Sequence, residues 1–151
     1  MRRICLYIVG CLALMGCTDN CRFAEHKIIS GNDWGMDDTL IYEIPKMDNP
    51  TMLEPNIIVR IDDNYKYNQL NILVELMTDK IVRRDTVSFA LFDSVGHNLG
   101  KGLIHTEFVE HIPQVLIDTT QYQYRIRNIM TDSVTSGVTS VGVALYESTE
   151  D

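Results

Sequence analysis

Most of the chain alternates hydrophobic and polar residues with a period of two. This period places every second side chain on the same face, which is the pattern of a strand with one buried side. Six stretches between residues 39 and 147 show it clearly, and weaker candidates are HKIIS, LIHTEFVEHI and QVLID. The six apolar faces are Leu40/Tyr42/Ile44, Ile57/Val59/Ile61, Leu70/Ile72/Val74/Leu76, Val87/Phe89/Leu91, Tyr122/Tyr124/Ile126 and Val141/Val143/Leu145.

Turn-forming residues separate these stretches. DNPTMLEPN, DDNYK, DSVGHNLGKG and TDSVTSG are rich in Asp, Asn, Gly, Pro and Ser, and DKIVRRD is interpreted as a further connection. Short strands with one polar face suit antiparallel sheets. About seven to nine of them predict an all-β fold, namely an antiparallel β-sandwich that is jelly-roll or immunoglobulin-like. A helix remains an alternative only for residues 126–133.

The N-terminus has a different pattern. Arg2 and Arg3 precede an unbroken run of apolar or small residues from Ile4 to Gly16. This run is shorter than the roughly 20 residues that a membrane-spanning helix needs. A basic start, a short apolar run and a small residue at its end are typical of a secretory signal peptide.

The end of this run defines the leader further. Leu14, Met15, Gly16 and Cys17 resemble the bacterial lipobox, in which an aliphatic and a small residue precede a lipidated cysteine. The alternative is an ordinary secreted protein with a chance cysteine. From the lipobox resemblance, we expect the signal peptidase to recognise Leu14, Met15 and Gly16, and Cys17 to carry the acyl chains. The predicted organisation is a lipoprotein signal peptide at 1–16, a lipidated tether at 17–27 and a single β-sandwich domain at 28–151.

Charge and cysteine content narrow the function classes. Removing residues 1–16 removes two of 13 basic residues and none of 21 acidic ones, which leaves 11 against 21 and a formal charge of −10. Such an acidic chain does not suit nucleic acid, which needs a positive surface. After loss of Cys5 and Cys11 and acylation of Cys17, Cys21 has no intramolecular partner, so no disulfide scaffold is expected. Cys21 is interpreted as a bystander thiol, with an intermolecular disulfide bridge as the alternative.

Three segments carry residues of the types that bind a metal or phosphate. His105, Glu107, Glu110 and His111 would spread along a strand, with the two histidines some 20 Å apart, so a solvated strand is the better interpretation. Asp62-Asp63-Asn64 suits a turn better than the twelve-residue calcium loop. GHNLGKG (96–102) lacks the spacing of a phosphate loop and is interpreted as a connection between strands. With no nucleophile motif either, we expect no enzyme activity, metal or cofactor.

Three aromatic residues are candidates for a binding surface. Trp34, Tyr65 and Tyr67 lie near Asp and Asn residues, and Tyr65 and Tyr67 share one side of an extended segment. The interpretations are core packing, contact with a protein partner, or stacking on a glycan. Exposure of the rings separates the first interpretation from the other two.

Several motifs follow one another in a fixed order, namely GNDWG before the first clear strand, Arg60 followed by Tyr65-Lys66-Tyr67, the turn NLGKG, the strand YQYRIRNIM and the closing SGVTSVGVALYE. This order resembles the GldH-type gliding-motility lipoproteins of Gram-negative Bacteroidota. The resemblance covers about residues 23–147. Lys66, Gln69 and Ser140 stand where the family commonly has proline, asparagine and an acid.

The resemblance implies an envelope lipoprotein that the surface gliding machinery requires, without assigned enzymatic activity or catalytic residues. The sequence therefore predicts a non-catalytic, membrane-anchored lipoprotein that contacts other envelope or motility proteins, within the gliding machinery or its associated secretion system. The outer membrane is favoured over the inner one. The alternative is a surface glycan-binding lipoprotein with a jelly-roll carbohydrate-binding module.

Overall fold

The computed structural model describes residues 20–102 and 105–148. They form eleven strands and a short 3-10 turn at Ser30–Asn32, and the described part contains no α-helix. The all-β prediction is therefore confirmed. The strands are β1 (Cys21–Ile28), β2 (Asp33–Gly35), β3 (Leu40–Ile44), β4 (Thr51–Ile61), β5 (Gln69–Met77), β6 (Ile81–Ala90), β7 (Thr106–His111), β8 (Val115–Ile117), β9 (Tyr122–Asn128), β10 (Val134–Ser136) and β11 (Val138–Glu147).

Two antiparallel sheets form a β-sandwich. The first sheet has the order β1-β11-β4-β7, and β8 pairs with β4 beyond β7. The second sheet has the order β3-β9-β5-β6, and β2 pairs separately with β10. The Tyr42 hydroxyl on β3 donates to the Val141 carbonyl on β11 over 2.8 Å, which ties the two sheets together inside the core.

The core consists of the apolar faces that the alternation predicts. Ile57 and Val59 on β4, Ile72 on β5 and Ile126 on β9 are fully buried in one hydrophobic cluster. Strand β11 lies between β1 and β4, and it is buried from Val138 to Leu145. Its predicted apolar face is therefore confirmed, and its other face is covered as well.

The domain begins earlier than predicted. The tether predicted at 17–27 contains β1, which pairs with β11 from Cys21 to Ile28. Phe23 is the one large apolar residue packed on the core from this strand. Because an edge strand is held mainly by backbone hydrogen bonds, its side chains carried too weak an alternation to reveal it.

Two strand boundaries and one predicted alternative also differ. Strand β6 begins at Ile81, inside the predicted connection DKIVRRD, and β4 begins at Thr51, inside the predicted turn DNPTMLEPN. Pro55 is tolerated within β4 because its nitrogen faces the turn between β7 and β8, where its carbonyl accepts from Ile112 (3.1 Å). The helical alternative for 126–133 is wrong, because Ile126 pairs with both β3 and β5.

Residues 1–19 lie outside the described residues, and so do the predicted signal peptide and the four lipobox positions. Within the described part, no helix has the length and apolar character to cross a membrane.

Candidate functional site

The three candidate aromatics meet at one end of the sandwich, which we call the aromatic end. Strand β1 finishes there, β4 turns into β5 there, and β11 starts there. Trp34 lies on β2, and Tyr65 and Tyr67 lie in the turn between β4 and β5.

Trp34 is part of the core. Its side chain has 0% exposure, and its indole Nε1 donates to the Asp38 carbonyl at 3.0 Å. Asn128, itself buried, donates to the Trp34 carbonyl (3.0 Å) and to the Thr135 hydroxyl (2.7 Å). The hypothesis that Trp34 lines an exposed partner or glycan surface is wrong, because the β2–β10 pair holds it inside the end of the sandwich.

Tyr65 is also buried, at 8% exposure, and its hydroxyl donates to the Gln69 carbonyl at 2.8 Å. Burial raises the pKa of Tyr65 above the ordinary value of 10.0. The Tyr67 ring stands edge-on to it, with centroids 5.7 Å apart. Tyr67 is half-buried, and its hydroxyl donates to the Asp132 carboxylate. Of the three aromatics, only Tyr67 keeps a partly exposed ring. The hypothesis that Tyr65 lines an exposed surface is therefore wrong as well.

Gly137 holds the aromatic end together, and sequence reasoning did not single it out. Its N–H donates to the Asn32 carbonyl (2.7 Å), and its carbonyl accepts from the Asp62 N–H (2.9 Å). Its φ of +88° belongs to the left-handed region, and a Cβ here would lie 2.3 Å from the Tyr65 nitrogen. The signal in the sequence was Gly137 itself, which is the first glycine of the closing motif SGVTSVG.

The acidic turn after β4 serves structure. One Asp62 carboxylate oxygen accepts from the Asn64 N–H and the other from the Asn32 side-chain amide, both at 2.8 Å. The turn interpretation of Asp62-Asp63-Asn64 is confirmed. Across residues 20–102 and 105–148, no group of three or more His, Cys, Asp or Glu side chains is placed to hold a metal ion.

The segment GHNLGKG is a connection between β6 and β7, as predicted. The Asp93 carboxylate accepts from the N–H groups of Val95 (2.9 Å) and His97 (2.8 Å), which closes a turn before it. These hydrogen bonds, chiefly the one from His97, lower the pKa of Asp93. Further on, Lys101 and Glu107 exchange backbone hydrogen bonds. The Glu107 side chain binds Arg60 at 2.7 Å, and His111 contacts Asn56, so the solvated-strand interpretation fits these residues.

The surface of the aromatic end is acidic and open. Two clefts of about 320 and 440 Å³ flank Lys66, one bordered by Asn64 and Gly137 and the other by Tyr65 and Asp93. Two lysines, Lys66 and Lys101, accompany seven aspartates in the surrounding segments, namely Asp33, Asp37, Asp38, Asp62, Asp63, Asp93 and Asp132.

Comparison with known proteins identifies the family. The family model described as GldH lipoprotein matches residues 22–145, which include the whole aromatic end. The chain belongs to the GldH lipoprotein family. The resemblance seen in the sequence motifs is thus confirmed, and membership of this lipoprotein family indicates a membrane-anchored place in the cell envelope. A search of the curated proteins finds no match.

Solved structures are only remotely similar to this GldH-family chain. Eiger TNF from S. frugiperda has 8% identity, with 85% of this chain and 94% of that chain covered. Latent PorU from Porphyromonas gingivalis has 8% identity, with 83% and 13% covered. A family 35 carbohydrate binding module from Clostridium thermocellum has 13% identity, with 79% and 97% covered. All three have a TM-score of 0.37.

Proposed function

We propose that this GldH-family lipoprotein is a non-catalytic component of the gliding motility machinery, or of its associated protein secretion system, that works by contacting other envelope proteins. The family match over residues 22–145 carries the proposal. The burial of Trp34 and Tyr65 supports it, because these two residues of the family motifs pack inside the fold and are not available to react.

The proposed anchor is Cys17, with the acyl chains in the membrane and the outer membrane favoured. Strand β1 begins at Cys21, so the chain between the two cysteines spans at most about 14 Å. The aromatic end lies at the far end of β1, about 25 Å further along the strand. An anchored domain would therefore present Lys66 and Tyr67 away from the lipid, towards partners. Two or more acyl chains give stable attachment.

The glycan alternative loses its basis. Stacking on a sugar needs an exposed ring, and Trp34 and Tyr65 have 0% and 8% exposure. Tyr67 alone is half-buried, and its hydroxyl is already bonded to Asp132. Contact with protein is therefore the function that we propose for the aromatic end.

Replacing Cys17 with serine tests the anchored role. We expect Cys17→Ser to remain uncleaved by the lipoprotein peptidase, to lack acyl mass and to lose its normal membrane fraction. In a gliding host whose own copy is deleted, it should fail to restore gliding at matched protein levels. Cys21→Ser is the matched control, since this free thiol donates a hydrogen bond to the Phe23 carbonyl (3.3 Å) that a serine hydroxyl can also make, and it should behave as the wild type. A wild-type chain without acyl mass, or full gliding with Cys17→Ser, would contradict the proposal.

A further inference from the structure

The outer face of the second sheet carries a group of arginines, which we call the arginine face. Glu75 on β5 lies opposite Arg84 on β6 and Arg125 on β9. Arg127 lies two residues further along β9, opposite Leu73. Alternation sends these side chains outwards, because Val74, Tyr124 and Ile126 fill the other side of the sheet. Three arginine side chains thus share this face with one carboxylate.

Glu75 neutralises only part of this positive charge. It is 6% exposed, and one of its oxygens binds Arg84 at 2.7 Å while the other lies 3.8 Å from Arg127. Arg125 forms no ion pair with any described residue. Its Nη1 donates to the Met77 sulfur at 3.6 Å, and its Nε is buried without a hydrogen-bond partner. The arginine face therefore carries positive charge that the carboxylates of the described residues do not fully neutralise.

The surroundings of this charge resemble the centre of a protein interface. Ile41 on β3, which is 37% exposed, lies beside Arg125, and Leu73 on β5 lies beside Arg127. Arginine next to apolar side chains is enriched at interface centres. Glu43, at one corner of the face, is exposed and forms no ion pair with a described residue. In a chain with 13 basic and 21 acidic residues, a cationic face is an exception that calls for an anionic occupant.

Spacing indicates what kind of anion fits. Arg125 and Arg127 are two residues apart on one strand, which is about 7 Å. Carboxylates at alternate positions of an extended peptide have the same spacing, and guanidinium groups bind carboxylates through paired hydrogen bonds. We propose that the arginine face binds an extended acidic segment of a partner protein, with carboxylates at alternate positions on Arg125 and Arg127.

This inference rests on the proposed function, since it names the chemistry of a protein that the lipoprotein contacts. Its test is a titration of the full chain in a non-ionic detergent with a synthetic peptide in which Glu and Thr alternate. The NMR signals of the arginine Nε–H groups report binding at each side chain. We expect saturable shifts at Arg125 and Arg127, weaker binding at higher salt, and no response to the Gln-for-Glu peptide.

Substitutions then assign the site. Arg127→Gln and Arg125→Gln should each weaken peptide binding about tenfold, as expected for a hydrogen bond to a charged group. Arg60→Gln is the matched control, because Arg60 lies on the opposite sheet and its side chain has the same 42% exposure as that of Arg127. It should leave peptide binding unchanged within about twofold. Thermal unfolding of each variant verifies the fold, and Arg127→Gln suffices if Arg125→Gln is unstable.

Three results would overturn the inference. They are no saturable shift with the acidic peptide, equal binding by Arg127→Gln and the wild type, and equal or tighter binding of inorganic phosphate or a soluble short-chain phosphatidylglycerol. The last result would assign the face to phosphate instead of a protein. None of these results touches the Cys17→Ser experiment, so failure of this inference and failure of the proposed function are distinguishable.

Discussion

Gly137 offers a direct test of how the aromatic end is built. It has a φ of +88°, and its missing side chain makes room for the Tyr65 backbone, whose nitrogen and Cα would lie 2.3 and 2.6 Å from an added Cβ. Gly96 has the same φ of +88°, and nothing lies within 4 Å of its Cβ position. The two glycines share one backbone conformation and differ in their surroundings. Comparing Gly137→Ala with Gly96→Ala therefore isolates the close approach to Tyr65.

The expected magnitudes follow from these two differences. A left-handed conformation costs a non-glycine residue about 1–2 kcal/mol, and this cost applies to both variants. Overpacking adds about 1–3 kcal/mol, and only Gly137→Ala incurs it. At Gly137 the obstructing atoms are backbone, so relief requires the turn from Asp62 to Tyr65 to move. We expect losses of about 1–2 kcal/mol for Gly96→Ala and about 2–5 kcal/mol for Gly137→Ala.

Urea unfolding of a soluble form beginning at Thr18 measures both losses. Trp34 is the single tryptophan of the chain and lies buried at the aromatic end, so its fluorescence follows unfolding there. Slopes of the unfolding transitions should agree between variants, so that midpoints reflect stability. Equal losses for the two alanine variants, or a smaller loss for Gly137→Ala, would refute the close packing of Gly137 on Tyr65.

The remaining predictions use the same soluble form. Tyr65→Ala should cost about 3–5 kcal/mol because it empties a core position, whereas Tyr67→Ala should cost about 1 kcal/mol; similar urea midpoints for the two would contradict their different burial. Val74→Asp should lower the free energy of unfolding by several kcal/mol, since Val74 is 1% exposed and the carboxylate of the new aspartate would be buried. A urea midpoint equal to that of the wild type would count against the sandwich core. Burial raises the pKa of Tyr42, Tyr65 and Tyr124 above 10.0, so their stabilising contribution should be present below that pH and be lost as pH rises beyond it. Tyrosinate absorbance should then appear together with unfolding, and independent titration of all tyrosines near pH 10.0 would argue against the burial.

Alternation predicted the central strands well because their two faces differ strongly in burial. Ile126 lies in the core while its chain neighbours Arg125 and Arg127 are partly exposed on the outer face, and this contrast is visible in the residues themselves. Strand β1 is different, since it is held by pairing with β11 and shows little apolar alternation. Arg83 illustrates a similar loss of information. It lies in the segment DKIVRRD, which is predicted as a connection, but the structure places it on β6, where it binds Asp85 at 2.7 Å and the Pro113 carbonyl at 3.0 Å.

The aromatic end shows why burial of single aromatics was not predictable. Trp34 and Tyr65 stand among polar turn residues, which is typical of exposed rings as well as of rings covered by a distant segment. What covers Trp34 is β10, about 100 residues later in the chain, together with Asn128. Only the tertiary arrangement of β2 and β10 decides between these two settings. The arginine face was equally hidden, because its residues come from three strands of different sequence position.

Site-specific photocrosslinking in gliding cells tests the central claim most directly, namely that this lipoprotein acts through contacts with other envelope proteins. A photoreactive residue is placed at Lys66, exposed at the aromatic end, or at Lys46, exposed at the opposite end near the start of β4. Each variant must first support gliding, and crosslinked products are then isolated and identified. The account predicts a discrete product with an envelope protein from Lys66 and none from Lys46. No discrete product from Lys66, or a product from Lys46 alone, would contradict it.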